Sequence, residues 1–279
     1  MAFRVVADSS SNLHQMDGLD FAGVPLKILC QGREYADTPL LDVEAMVDDL
    51  ARAKEGASTS CPNAHEWLQA YGDAQEVFAV AITSNLSGTC SAAMQASEDY
   101  RAANPNGKIR VFDTLSTGPE MALIVEKLRQ CEAEGKTFED TEAEIERYMQ
   151  RTHLLFVLKS LTNLARNGRV NAAVAKVAGV LGVRVVGRAS DVGTLELLHK
   201  SRGEKKAVDD VLNEMRRTGF RGGKVRIAHC RNLAGAKNLM AELMVAFPGS
   251  EITISRCNGL CSFYADQGGL LIGYEDGAD

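Results

Sequence analysis

Val77-Phe78-Ala79-Val80-Ala81-Ile82 runs straight into Thr83-Ser84-Asn85-Leu86-Ser87-Gly88-Thr89. A continuous apolar run of this length is the pattern of a strand buried on both faces, as in a parallel sheet covered by helices. The polar stretch after it reads as the turn into a helix of small residues that begins at Thr89. The same order recurs on either side. Residues 3–7 form an apolar run ending in Asp8-Ser9-Ser10-Ser11, and residues 109–112 form another ending in Asp113-Thr114. Residues 43–53 have helical spacing. Asn63 with Glu66 three positions on is a capping-box signature for a helix after Pro62. Pro119 suits the first turn of a helix that Gly135 stops. Strands alternating with helices predict an α/β fold: a mostly parallel sheet with helices on both faces. In such sheets ligands bind beyond the carboxyl ends of the strands. The hydroxyl-rich strand ends at 8–11, 83–89 and 113–117 therefore mark the expected place of a site.

The second half reads differently. Residues 137–150 suggest an acidic helix, and the composition shifts at His153-Leu154-Leu155-Phe156-Val157-Leu158. A boundary there divides the chain into two expected domains, 1–152 and 153–279. Residues 171–181 read as a small-residue apolar helix. Residues 183–186 and 194–199 read as a hairpin around Ser190-Asp191-Val192-Gly193. Helices from Glu204 and Leu233 alternate with strands at 225–228 and 252–255, and a last strand covers 270–274. The expectation is a second α/β unit with a mixed sheet.

Composition narrows the function. A chain of 279 residues suits two domains or one large one. Lys and Arg number 31 against 37 Asp and Glu, a net charge of −6. That balance argues against a nucleic-acid binder, and nine Phe, six Tyr and one Trp give few platforms for stacking bases. No apolar run approaches the twenty or so residues of a membrane span, and the first residues lack the regions of a signal peptide. Seven scattered cysteines, at 30, 61, 90, 131, 230, 257 and 261, fit free thiols in a reducing cytoplasm.

Three segments carry candidate chemistry. Ser87-Gly88-Thr89 offers two hydroxyls, a glycine that lets a backbone approach closely, and the free N–H groups of a helix start, a small anion cradle. The same residues also read as a plain capped turn. Ser58-Thr59-Ser60-Cys61-Pro62 is a second hydroxyl cluster before a helix, either a capped turn or a partner of the first in holding one polar head group. Arg166-Asn167-Gly168-Arg169 suits oriented contact with a carboxylate or phosphate, or a solvated turn. Residues 200–226 carry nine Lys and Arg against four Asp and Glu. That segment reads as a solvated face or as a docking patch for an acidic protein or a membrane surface. There is no zinc spacing, P-loop, Gly-x-Gly-x-x-Gly or Gly-x-Ser-x-Gly, and the histidines at 14, 65, 153, 199 and 229 have no evident triad partners. No residue is assigned as catalytic or as a metal ligand.

Taken in order, these motifs resemble the DegV family, the fatty-acid-binding subunits of a bacterial fatty acid kinase, over nearly the whole chain. Asp8-Ser9-Ser10-Ser11-Asn12-Leu13 resembles the family's opening Asp-Ser-Ser motif, and Val24-Pro25-Leu26 its next segment. Thr59-Ser60-Cys61-Pro62 is similar to its Thr-Ser-x-Pro loop, and Leu86-Ser87-Gly88-Thr89 to its Leu-Ser-Gly-Thr motif. Asp113, Thr114 and Gly118, then Gly168-Arg169-Val170, then Gly193 with Lys200 and Arg202, fit later elements. The resemblance implies two α/β domains with a lipid tunnel and a bound long-chain fatty acid. Thr59 and Ser87 would donate hydroxyl hydrogen bonds to its carboxylate, Gly88 its N–H, with Ser60 and Thr89 in the same loops and Arg169 supporting the network. It implies no cofactor and no catalysis by this chain, which would present the acid to a separate kinase catalytic subunit that makes an acyl phosphate for phospholipid synthesis. Arg202 would belong to the partner-docking surface. One departure stands out. Where the family has His-x-Gly-Pro-Gly, this chain has Tyr264-Ala265-Asp266-Gln267-Gly268. Tyr264 donates a hydrogen bond without carrying charge near neutral pH, and Asp266 would repel a carboxylate placed beside it. Asn167 and Val185 also replace a common Gly and a common Pro. Two other readings stay open on the residues: a phosphoryl- or acyl-transfer enzyme on the same scaffold, and a lipid carrier or regulator without a kinase partner.

Overall fold

Side chains on a strand alternate between faces, and the run at 77–82 feeds two cores. In a computed structural model of the protein, which describes residues 3–53, 55–171 and 182–277, Val77, Ala79 and Ala81 pack with Trp67, Tyr71, Ala93 and Tyr100. Phe78, Val80 and Ile82 pack on the opposite side with Met121, Ile124, Leu128 and Phe138. The strand they form, β6 (Glu76–Ala81), lies in a four-stranded parallel sheet with β1 (Arg4–Asp8), β2 (Asp20–Val24) and β7 (Lys108–Asp113), in the order β2-β1-β6-β7. Helices α2 (Ala64–Tyr71) and α3 (Thr89–Ala103) cover the first face, and α4 (Pro119–Ala133) and α5 (Phe138–Met149) the second. The capping box forms as read: Glu66 N donates to Asn63 Oδ1 at 3.0 Å and Asn63 N to Glu66 Oε2 at 2.8 Å.

A second, small antiparallel sheet has the order β4-β3-β5, from β3 (Lys27–Cys30), β4 (Arg33–Ala36) and β5 (Ser58–Ser60). Ser58, Thr59 and Ser60, read from the sequence as part of a turn, are thus a strand. Pairing with Lys27, Ile28 and Leu29 overrides their weak local preference, as is usual for strands. Helix α1 (Val43–Arg52), capped by Asp42, packs Met46 and Val47 beside this sheet.

The third sheet comes from the second half of the chain. Its order is β10-β9-β8-β13-β11-β12, from β8 (Thr152–Leu158), β9 (Val183–Ala189), β10 (Leu195–Arg202), β11 (Lys224–His229), β12 (Glu251–Arg256) and β13 (Leu270–Glu275). Only β11 and β12 pair in parallel, so the sheet is mixed, as expected. Leu155 and Val157 face helices α7 (Glu204–Arg217) and α8 (Leu233–Ala246) through Val211, Met215 and Leu239. On the other face Leu154, Phe156 and Leu158 join Ile28, Met46, Leu161, Leu164 and Phe263, which draws in the small sheet, α6 (Thr162–Arg166) and α9 (Gly259–Ala265). Two glycines permit this layering. A Cβ on Gly187 would lie 2.2 Å from the Phe156 ring, and one on Gly273 would lie 2.4 Å from the backbone of Pro119 and Glu120 at the start of α4. The small-residue helix read at 171–181 lies outside the described residues from Ala172 onward.

Candidate functional site

The inner face of the mixed sheet meets the carboxyl ends of the parallel strands, and a cavity lies between them. Leu154, Phe156, Leu158 and Leu271 form the sheet wall, Leu26 and Ile82 the opposite wall, and Leu260, Cys261 and Ala265 of α9 a third. Its empty volume, mouth included, is about 670 Å³. Thr117 lines it from the loop before α4, and four further polar side chains, Thr59, Ser87, Arg169 and Tyr264, complete the polar lining.

Each of the four reaches the cavity from a different element. Thr59, on β5, shares a 2.8 Å hydrogen bond between its Oγ1 and Tyr264 Oη. Tyr264 sits in the last turn of α9, and the chain leaves the helix at Asp266. Burial raises the Tyr264 hydroxyl above its usual pKa, while the bond to Thr59 and the charge of Arg169 pull the other way. The phenol is therefore a neutral donor across the physiological range. Ser87 precedes α3, and its Oγ lies 2.7 Å from Thr89 Oγ1. Arg169 donates from Nε to Leu86 O at 3.0 Å and from Nη1 to Asn167 O. Asn167 Nδ2 in turn donates to Ala57 O at 3.2 Å, just before β5. The guanidinium thus ties the Ser87 loop to the Thr59 strand and adds positive potential beside the phenol. The tip of the β9–β10 hairpin braces the same loop, because Thr83 Oγ1 donates to Gly193 O and Asn85 Nδ2 to Val192 O.

The other expected site residues stand behind this front. Ser60 follows Thr59 on β5, so its side chain leaves the opposite face, where Oγ reaches Cys61 O at 3.4 Å. Thr89 is buried in the first turn of α3 behind Ser87. Gly88 is the exposed N-cap of α3, at φ −71°, and a Cβ there would lie 3.4 Å from Cys61 Sγ. The two hydroxyl loops therefore touch through Gly88 and Cys61, although neither residue lines the cavity. Asp266 does not line it either, and its Oδ1 accepts from Gln267 N. Of the three hydroxyl-rich strand ends, 83–89 contributes Ser87 and 113–117 contributes Thr117. Ser9, Ser10 and Ser11 form a buried 3₁₀ turn instead. Arg202 is exposed at the end of β10. Within the basic segment Lys206 pairs with Asp210, Arg217 with Glu214, and Arg226 with Glu126 and Glu251. Sequence reasoning missed Leu260 and Cys261, whose stretch Gly-Leu-Cys-Ser-Phe-Tyr-Ala has neither a helical nor a strand period. Among the described residues no group of three or more His, Cys, Asp or Glu could hold a metal ion, and no helix is long and apolar enough to cross a membrane.

A family model described as an uncharacterised protein of the DegV family matches residues 2–275. The chain belongs to the DegV family. A DegV domain-containing protein of Streptococcus pyogenes serotype M1 is 39% identical over 279 residues, covering 99% of this chain and 100% of the relative. A DegV family protein from Eubacterium eligens, crystallised loaded with heptadecanoic acid, is 42% identical with a TM-score of 0.97, over 99% of this chain and 100% of that one. The Streptococcus pneumoniae Fatty Acid Kinase (Fak) B3 protein, loaded with linoleic acid, is 37% identical with the same TM-score and the same coverage. The α/β architecture, with one parallel and one mixed sheet, is that of these DegV structures.

Proposed function

We propose that this chain binds a long-chain fatty acid and presents its carboxylate to the catalytic subunit of a separate kinase. The observation that carries the proposal is the cavity itself: mostly apolar, with Thr59, Ser87, Thr117, Tyr264 and Arg169 as its polar lining. The Eubacterium eligens and Streptococcus pneumoniae proteins, each crystallised with a fatty acid, support the ligand class, and the kinase name of the second supports the partner.

The energetics fit such a ligand. Each buried methylene contributes about 0.8 kcal/mol, so a sixteen-carbon chain has a gross driving force on the order of 10 kcal/mol before ordering costs. With affinity supplied by the tail, a few donors suffice to select an acid. In this reading the hydroxyls of Thr59, Ser87 and Tyr264 donate to the carboxylate. Arg169 holds the loops together and adds a positive field. Ser60, Gly88 and Thr89 shape the loops from behind. The reacting carboxylate oxygen attacks the γ-phosphorus of ATP on the kinase, ADP leaves, and an acyl phosphate results. This chain supplies position and no catalytic group. Arg202 belongs to the face that meets the kinase, the exposed part of 200–226 gives a transient membrane contact, and the protein works in the cytoplasm. Residues 1–152 and 153–279 are the two domains that enclose the ligand.

The test is a Thr59→Val, Ser87→Ala double variant. It should bind palmitic acid about tenfold or more weakly, since each lost donor to a charged group is costly, and with kinase and ATP it should yield acyl phosphate more slowly at limiting lipid. Unchanged affinity would remove the carboxylate from this position.

A further inference from the structure

Helix α9 brings Tyr264 to the cavity, yet it is only seven residues long. Such a helix has no stability of its own and must be held at its ends. Its amino end is held by side chains from the first half of the chain. Asn258 N donates to Asn12 Oδ1 at 2.6 Å, Gly259 N to Asp37 Oδ1 at 2.7 Å, and Leu260 N to Asp37 Oδ2 at 2.9 Å. Both carboxylate oxygens of Asp37 thus accept from α9, His14 Nε2 lies 3.8 Å from Oδ1, and the residue is 1% exposed. The approach is so close that a Cβ on Gly259 would lie 2.8 Å from Asp37 Oδ1. At the other end Asn163 Nδ2 donates to Phe263 O at 2.8 Å, and Tyr264 Oη meets Thr59 Oγ1.

Asp37 and Thr59 belong to opposite edges of one small sheet. Asp37 follows β4, Thr59 lies on β5, and β3 runs between them. Two strand spacings span roughly 9.5 Å. A seven-residue helix is about 10 Å long. The small sheet therefore grips α9 by both ends and matches its length.

We propose that Asp37 is the positioning residue for the head-group site: by anchoring the first two N–H groups of α9, it sets how far Tyr264 reaches toward Thr59 and the carboxylate. This rests on the fatty-acid reading above. An anion is the favoured group at a helix amino end. An amide in its place keeps the volume but turns one acceptor into a donor that faces an N–H, so α9 loses its axial stop.

The test compares the wild-type protein with Asp37→Asn, Tyr264→Phe and the double variant, each binding palmitic acid and 1-hexadecanol in competition with a fluorescent fatty acid. The alcohol shares the tail and lacks the charge. Tyr264→Phe should lower the acid-to-alcohol affinity ratio about tenfold, Asp37→Asn should lower it to a similar extent, and the double variant should fall no further, because both remove one interaction. An Asp37→Asn protein with the wild-type ratio, an equal loss for both ligands, or a double variant whose losses add would overturn the proposal. Asn12→Ala, which releases Asn258 at the same end, carries the same test with a smaller expected loss if Asp37→Asn does not fold. A wild-type protein that takes up neither ligand would refute the fatty-acid reading itself, before any variant is compared.

Discussion

Glu120 sits in the first turn of α4, where a carboxylate ordinarily enjoys the helix dipole in water, yet here it is buried. Ser116 Oγ and Thr152 Oγ1 donate to it, but burial dominates and pushes its pKa from 4.5 up to about 7. Asp8 is buried beneath Ile82 N and Ser10 and is pushed up to about 6 in the same way. A folded-state pKa above the unfolded one means that folding takes up a proton between the two values. Stability is then highest at the acidic end of that window and falls as pH rises through it. For Glu120 the full effect from 4.5 to about 7 is on the order of 3 kcal/mol. Glu120→Gln should therefore flatten the pH profile: urea unfolding at pH 5 and pH 8 should differ less in the variant than in the wild type, and an unchanged difference would contradict the buried-charge account. None of this is legible in the sequence, where Pro119-Glu120 looks like an ordinary helix start. Thr59, Ser87 and Arg169, in contrast, stand out there because hydroxyl clusters before helices and an Arg beside a Gly are local signals.

At the scale of elements, long periodic segments were readable and short ones were not. The strand at 77–82, the helix behind Asn63 and the hairpin around Gly193 all carry their signal within a few neighbouring residues. Strands β3, β4 and β5 have four, four and three residues of mixed polarity, and α9 has seven with no period. Their conformations are decided by partners far away in the chain, such as Asp37 for α9 and Lys27 to Leu29 for β5. Glycines show the same division. Gly88 attracts attention in its motif, but its backbone is ordinary and its nearest neighbour would be 3.4 Å from a Cβ. Gly273 attracts none, yet α4 rests its backbone on it. Gly273→Ala should destabilise the protein by about 1–3 kcal/mol, since backbone cannot step aside, whereas Gly88→Ala should stay within about 0.5 kcal/mol of wild type. Thermal melts of the two variants side by side check this, and equal losses would contradict it.

At the scale of the molecule, the inner face of the mixed sheet is covered by the small sheet, α1 and α9, so one core is built from both halves of the chain. The cavity follows from that arrangement. Its lining draws on the carboxyl ends of the parallel strands through Ile82, Ser87 and Thr117, and the sequence marks those ends by their hydroxyl-rich motifs. What it did not resolve is which face of each loop looks inward. Thr59 and Ser87 do, and Ser60 and Thr89 stand behind them, a difference set by strand alternation and by a helix turn. The central claim is that this space holds an acyl chain. Native mass spectrometry of the purified protein, followed by solvent extraction of what it releases, tests it most directly. The account predicts one long-chain fatty acid per chain, either carried through purification or taken up when palmitic acid is added, with occupancy reduced in the Thr59→Val, Ser87→Ala variant. A protein that arrives empty and stays empty in the presence of added fatty acid would contradict it.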